Sequence, residues 1–365
     1  MFLKKPLNFL GLDALFTTTQ KRQVVYTSPN MNAVRTDSED VRIFVYFYNA
    51  SELEKTTLPN ASACARYKGD DHITWLNIDG LRKSDIEKIC AEFGIHQLLA
   101  EDILSINQRP KMDEVEGVLF CLLNMLYFNE STGGVESEQI SIVLGKNFVI
   151  SFQEDGKRDV FDPIREKIMF AQTKIRQRGA DYCCYALLDM IVDNYFIVME
   201  KLGERMEWLE NIVIRRSNTQ TLAKINDLRK ELMVLKRNIA PVRELVNGLL
   251  RSDTDLIEDR TEKYYKDVYD HIVQAYDLTE NYRDMMMNMQ DLHINNVNLR
   301  MNEVMKVMAI VTCLMAPATV IGGIFGMNFD RIPYLHNKYG FYIAVTAMII
   351  IPLWMLGQFK RKGWF

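Results

Sequence analysis

Two stretches of this sequence admit few environments. Val307–Phe325 and Phe341–Phe359 each run for 19 residues without a charged side chain, and only Gly326–Gly340 separates them. At ~1.5 Å of rise per residue, a helix of that length just crosses a bilayer core of ~30 Å. The pair therefore reads as a transmembrane hairpin. A buried helical pair in a soluble core is the competing reading, but two uncharged runs of spanning length joined by a short polar loop are rarely needed in water. Arg300 and Lys306 precede the first run and Lys360, Arg361 and Lys362 follow the second, whereas the loop sets Arg331 and Lys338 against Asp330. The positive-inside bias then puts both termini in the cytoplasm. Phe9–Phe16 is short, broken by Asp13 and followed by no small-residue cleavage site. No signal peptide is expected, and the hairpin alone directs the chain, as a multi-pass protein, to the cytoplasmic (inner) membrane.

The rest of the chain is of ordinary composition. Of 365 residues 48% are apolar and 25% charged, and 44 Lys+Arg against 48 Asp+Glu leave a net charge of −4. These values exclude a disordered chain, a many-span membrane protein and an overall basic nucleic-acid binder, so no nucleic-acid partner is expected. Cys64, Cys90, Cys121, Cys183, Cys184 and Cys313 form no CxxC pair, which points to reduced, buried structural thiols rather than a disulfide framework or zinc finger.

The sequence divides by pattern. Residues 1–40 are polar and irregular. Residues 41–156 form an α/β domain, with expected strands at Val41–Tyr48, Ile73–Ile78, Val118–Tyr127, Gln139–Leu144 and Phe148–Phe152, and a turn at Gly145-Lys146-Asn147. Ser84-Asp85-Ile86-Glu87 has the form of a capping box opening a helix that stops near Gly94. Residues 157–257 are helical: Pro163 opens a helix that Gly179 ends, and Asp181–Arg216 and Thr219–Leu250 pair as an antiparallel hairpin, with a kink expected at Pro241. From Glu258 no Pro or Gly occurs until Pro317, so residues 258–325 read as one helix that carries the first span (307–325). The loop 326–340, the second span (341–359) and a basic tail (360–365) complete the chain. The fold class is thus an α+β cytosolic domain followed by long helices and a two-span transmembrane helical hairpin.

Alternating steps of four and three along the long helix pick out Asp277, Asn281, Asp284, Asn288, Asp291, Asn295, Asn298 and Asn302, then Met305, Ala309, Thr312, Ala316, Thr319, Gly323 and Gly326. Leu278, Met285, Leu292 and Leu299 form an apolar shoulder on one side, and Met287, Ile294, Met301 and Met308 one on the other. A polar stripe is usually a solvated outer face. Here it has the 3.5-residue period of supercoiling helices, and it stays small or hydroxylic through the span, where no solvated outer face exists. A helix packed on both shoulders belongs to a ring, and a ring with a polar lining encloses water. One chain with two spans cannot close it, so copies must assemble about an axis in the lipid bilayer. Asp and Asn offer hard oxygen acceptors suited to divalent metal ions such as Mg²⁺ or Ca²⁺. Asp277, Asp284 and Asp291 would concentrate cations at the inner mouth, and Met305, Met308 and Leu314 supply bulk that closes such a tube by dewetting.

At the end of the stripe stands Gly326-Met327-Asn328, and the chain closes on Phe359-Lys360-Arg361-Lys362-Gly363-Trp364-Phe365. With Glu101-Asp102-Ile103-Leu104, Gln108-Arg109-Pro110-Lys111, Phe161-Asp162-Pro163 and Asp267-Val268-Tyr269-Asp270-His271, the sequence resembles the CorA family of magnesium and cobalt transport proteins, beyond its first forty residues. The resemblance implies a funnel-shaped homopentamer with a central pore, and Mg²⁺ as both transported and regulatory ion. It implies an outer selectivity ring of Asn328, shaped by Gly326 and Met327. It also places Thr319, Gly323, Met305, Asn302 and Asp291 on pore-lining positions, and regulatory ion sites between subunits at Glu101, Asp102, Asp189, Asp267, Asp270 and His271.

Three departures from the family pattern stand out. Phe325 replaces the usual Tyr. The outer loop Ile332-Pro333-Tyr334-Leu335 lacks the usual acidic residue, and Ala316 replaces a bulkier gate residue. His336 leaves a zinc or cobalt transporter of the same fold as an alternative, and a membrane-anchored sensor or scaffold that conducts nothing is another. No Ser/His/Asp set, P-loop or dinucleotide glycine pattern points to an enzyme. Asn49-Ala50-Ser51 and Asn60-Ala61-Ser62 match glycosylation acceptors but fall on the cytosolic side.

Overall fold

The computed structural model describes residues 37–365 except 70, 107, 216, 328–332, 334–336 and 365. The described chain divides into two compact units. One comprises residues up to 124, 138–187 and 251–262, and the other 125–137, 188–250 and 263 onward.

The first unit is built on a mixed sheet. Its strands are β1 (Arg42–Tyr48), β2 (Leu53–Leu58), β3 (Ile73–Asp79), β4 (Lys111–Val115), β5 (Val118–Asn129), β6 (Gly134–Leu144) and β7 (Phe148–Gln153), in the order β2-β1-β3-β7-β6-β5-β4. β1 pairs antiparallel with β2 and β3, whereas β3 and β7 run parallel with Trp75 opposite Val149. Two helices, α1 (Lys83–Phe93) and α2 (Gln97–Leu104), lie on one face. Ile86, Ile89, Phe93, Leu99 and Ile103 pack there against Val45, Leu76, Ile78, Phe120, Leu122 and Ile150, all fully or nearly fully buried. At ~25 cal/mol per Å² each such side chain contributes roughly 1.5–3 kcal/mol, which fixes the sheet's register.

Several local expectations needed correction. β2 and β4 were not foreseen, because edge strands reading Leu-Glu-Lys-Thr-Thr-Leu and Lys-Met-Asp-Glu-Val carry no apolar alternation. The capping box is not formed. α1 begins a residue earlier, at Lys83, whose amide donates to Asp37 Oδ1 at 3.0 Å, so a distant carboxylate does the capping. Gly94 does end that helix, at φ 71°. In the turn between the antiparallel β6 and β7, a Cβ on Gly145 would collide with the Phe148 ring. The helix opened by Pro163 stops at Met169 rather than near Gly179. Thr173 Oγ1 and Arg176 take the carbonyls of Lys167 and Ile168, leaving α3 (Asp162–Met169) and a one-turn α4 (Lys174–Gln177).

The long helices are α5 (Ala180–Arg215), α6 (Thr219–Arg251), α7 (Asp259–Phe325) and α8 (Gly340–Arg361). Within the second unit α5 and α7 run side by side at a constant offset. Tyr282 Oη donates to the Met199 carbonyl (3.1 Å), Asn296 Nδ2 to Val213 (2.9 Å) and Arg300 Nη1 to Ser217 (3.1 Å). Each pair is 83 residues apart, so the two helices rise in parallel and in step. Asn296 and Arg300 also satisfy carbonyls at the C-terminal end of α5 that no later helical amide can reach. Of the six thiols Cys313 is exposed, against the expectation that all are buried, because it lies on the stretch of α7 that the chain itself does not cover. Burial pushes the Cys64 thiol up to about 11 and Cys90 to about 12, as inert structural thiols require.

Candidate functional site

α7 has two faces of opposite character. Val268, Ile272, Ala275, Thr279, Met286, Met289 and His293 are buried and recur at steps of three, four and seven, forming the seam that packs on the unit's own helices. Two residues on from Ala275, Thr279, Met286, Met289 and His293, and so about 200° around the helix, lie Asp277, Asn281, Asn288, Asp291 and Asn295 of the polar stripe. Asp277, Asn281, Asp284, Asn288, Asp291, Asn295, Asn298 and Asn302 are all exposed. Beyond the half-buried Leu278 its shoulders are also bare: Met287 is 48% exposed, Ile294 54% and Leu299 62%. A solvated outer face would not set large apolar side chains along both edges, and such surface calls for a partner.

The stripe continues beyond Met305, which is exposed together with Met308 and Ala316. Thr312 Oγ1 donates to the Met308 carbonyl (2.8 Å) and Thr319 Oγ1 to Met315 (3.0 Å). With their protons committed to the helix, both hydroxyls present only lone pairs outward, as hydrogen-bond acceptors. Apart from the neighbouring turns of its own helix, no atom of the described residues lies within 4 Å of where a Cβ on Gly323 would stand, so backbone is open there. At Gly322 an added Cβ would meet Met348 Cε of α8 at 3.7 Å, marking close approach of the two apolar helices. Gly326 and Met327 follow, both exposed, and the Gly326 amide still donates to Gly322 at 2.9 Å. Asn328, with Asp330, Ile332, Tyr334, Leu335 and His336, lies outside the described residues.

This pattern along α7 accompanies a match to the CorA-like Mg²⁺ transporter protein family over residues 70–361. The chain belongs to that family. It is 37% identical over 327 residues to the cobalt/magnesium transport protein CorA of Thermotoga maritima, covering 89% of this chain and 93% of the relative. The complete structure of the CorA magnesium transporter from Methanocaldococcus jannaschii superposes with a TM-score of 0.75 at 21% identity, covering 88% of this chain and 98% of that one. The CorA fold therefore holds here: a mixed-sheet domain, long helices and two apolar C-terminal helices.

The expected regulatory ligands of this CorA chain fall in both units. Asp189 and His271 come together in the second unit, joined by Asp193, and the three offer ligand atoms within 4.8 Å of one another. His271 Nδ1 stands 3.9 Å from Asp189 Oδ1 and 3.6 Å from Asp193 Oδ1, and that nitrogen is buried with no hydrogen-bond partner among the described residues. Two carboxylates and an orphaned imidazole nitrogen fit a divalent ion: the oxygens suit Mg²⁺, and the nitrogen adds affinity for Co²⁺. Asp193 was missed, although it lies four residues after Asp189 and so one turn along the same face of α5. Asp267 and Asp270 are exposed on α7.

Glu101 and Asp102 belong to the first unit, in the last turn of α2. Glu101 is exposed. Asp102 is not a free carboxylate. Lys111 Nζ binds its Oδ2 at 2.6 Å and Gln108 Nε2 its Oδ1 at 2.9 Å, while Lys111 also reaches Asp113 Oδ2 at 3.0 Å. Burial disfavours the Lys111 charge, but hydrogen bonds to Asp102 and Asp113 outweigh it and hold its pKa above the usual lysine value.

Proposed function

We propose that this chain forms a homopentameric channel for Mg²⁺, and for Co²⁺ as its Thermotoga relative's name suggests, in the cytoplasmic membrane with both termini in the cytoplasm. The observation that carries the reading is the exposed Asp/Asn/Thr stripe of α7 between two exposed apolar shoulders. Packing shoulder to shoulder, five copies bury the Leu and Met rows and turn the stripe inward, where it encloses water.

Mg²⁺ sheds its waters reluctantly, so the economical way to recognise it is to accept hydrogen bonds from its hydration shell. A ring of Asn328 amide oxygens at the outer end, then backbone at Gly323, Thr319, Thr312, Asn302, Asn295 and Asn288, supplies such acceptors. Asp291, Asp284 and Asp277 raise the local cation concentration at the inner end. Met305 and Met308, with Ala316 about two turns further along the helix, form the constriction that dewets when the helices draw together.

Cytosolic Mg²⁺ closes the pore by occupying carboxylate sites between subunits. Asp189, Asp193 and His271 hold an ion on one protomer, and Asp102, Glu101, Asp267 and Asp270 are the acidic groups available at the subunit borders. Two carboxylates about 8 Å apart repel by roughly 2 kcal/mol at an effective dielectric constant near 20, and an ion between them reverses the sign. Loss of the ion loosens the ring.

The test is metal flux in reconstituted vesicles. Asn328→Ala is expected to reduce Mg²⁺ uptake by at least tenfold while the pentamer persists in native mass spectrometry. Undiminished Mg²⁺ uptake in that variant would refute the channel reading, and Zn²⁺ uptake without Mg²⁺ uptake by the unaltered chain would assign it to zinc.

A further inference from the structure

Asp102 lies two residues from the end of α2 (Gln97–Leu104), where the last carbonyls make the helix end electronegative. A carboxylate there demands a cation. The chain supplies one: Lys111, the first residue of β4, places its ammonium 2.6 Å from Asp102 and 3.0 Å from Asp113. Lys111 and Asp113 are two apart on the strand and so share a face, which lets Asp113 steady the lysine without help from other elements. Gln108 takes the second oxygen of Asp102, and Gln139 Nε2 reaches the carbonyls of Asp102 and Ile103 from β6 at 3.4 Å. The carboxylate is therefore held in place with both oxygens occupied. Beside it opens a cavity of about 690 Å³, lined by Glu101, Asp102, Lys111 and Asp113 among others, with room for a hydrated ion.

We propose that Lys111 is a resident competitor for the divalent ion at Asp102, and so sets the Mg²⁺ concentration at which the channel closes. This rests on the reading of Asp102 as a regulatory ligand. The exchange raises the charge at the site by one. With Lys111 in place the two carboxylates and the ammonium sum to −1; with a divalent ion in its place they sum to zero, and the ammonium swings into solvent. An ion reaching Asp102 must first displace the lysine, so its apparent affinity falls by the factor that the ion pair contributes. Because the partners are half-buried rather than enclosed, that factor is modest. Lysine suits the role better than arginine, since its ammonium is a point charge on a flexible stem that releases its partner readily.

The experiment uses the full chain in lipid nanodiscs and reads resistance to a protease as Mg²⁺ is raised, with vesicle flux measured in parallel. Lys111→Met keeps the length of the stem and removes the charge. It is expected to move the midpoint of protection to 3–10-fold lower Mg²⁺, and the midpoint of flux inhibition with it, whereas Lys111→Arg stays near the unaltered protein or shifts upward. Lys111→Gln gives the same direction as Met should the methionine variant fold poorly. Asp102→Asn separates the two layers of the argument. If it abolishes or weakens the Mg²⁺ dependence while Lys111→Met and Lys111→Gln leave the midpoint unmoved, the competitor is refuted and the ligand stands. If Asp102→Asn leaves the midpoint unmoved, the ligand reading and the competitor fall together.

Discussion

Helix α5 and the C-terminal part of α7 are both long and apolar enough to cross a bilayer, yet the chain treats them in opposite ways. Within its most apolar window α5 is 56% buried by its own chain, whereas the corresponding windows of α7 and α8 are 6% buried. Apolarity alone does not tell a core helix from a span. The difference lies in who supplies the cover. α5 carries Asp181, Asp189, Asp193, Glu200 and Lys201 among its apolar residues, a mixture that a lipid environment would penalise and a helical layer in water requires. The spans of α7 and α8 carry no charge, and lipid or another copy must cover them.

The largest effect follows from removing cover that the chain itself provides. Ile191 of α5 is fully buried, so Ile191→Ala leaves a cavity and is expected to cost about 2–5 kcal/mol, seen as a drop of several degrees in the thermal midpoint of the detergent-solubilised protein. Ile350 of α8 is 57% exposed, and Ile350→Ala is expected to change the same midpoint by less than about 0.5 kcal/mol. Equal losses at the two positions would erase the distinction between the helices.

A second pair of substitutions asks what covers the stalk of α7. Leu292 and Leu299 stand on one shoulder and Asn288 and Asn295 on the stripe. Burying a leucine is worth about 1.5–3 kcal/mol, so Leu292→Ser with Leu299→Ser weakens every contact around a ring, and native mass spectrometry is expected to show monomers. Asn288→Ser with Asn295→Ser removes polar groups that face water in that arrangement, and assembly is expected to persist while flux changes by a few fold. Dispersal by the asparagine pair rather than the leucine pair would turn the helix around and remove the basis for a pore.

What the sequence disclosed and what it withheld divide along the same line. The uncharged runs and the 3.5-residue stripe are legible because a bilayer and a helix seam impose a period on consecutive residues. Features fixed by contacts between distant residues were not legible. The Asp37 cap on α1, the polar edge strand β2 and the early end of α3 each depend on partners that no local pattern announces. Asp193 is intermediate: its i+4 relation to Asp189 was readable, but only the approach of His271 makes the pair a candidate for metal binding. Lys111 lay within a motif already singled out, yet its pairing with Asp102 needs the fold that brings β4 beside the end of α2.

The smallest effect tests a polar group under the chain's own cover. Asp79, at the end of β3, is 6% exposed and accepts from Asn77 Nδ2 at 2.8 Å and from Gln153 Nε2. Burial raises its pKa above the ordinary carboxylate value. The bonds from Gln153 and Asn77 and the charge of Arg165 pull the other way, while Asp159 adds to the rise. A folded-state pKa above the unfolded one means that the native state holds the proton more tightly. Asp79 therefore adds stability as pH falls through the interval between the two values, and that contribution is lost as pH rises through it. Asp79→Asn keeps an oxygen acceptor for both donors and carries no charge to desolvate. Its thermal midpoint is expected to equal or slightly exceed that of the unaltered protein at pH 7, with the advantage shrinking toward pH 4. Because the group is covered within its own unit, the same slope should persist in the dispersed Leu292→Ser, Leu299→Ser protein. A slope that vanished on dispersal would mean that neighbouring copies, and not this chain, bury Asp79.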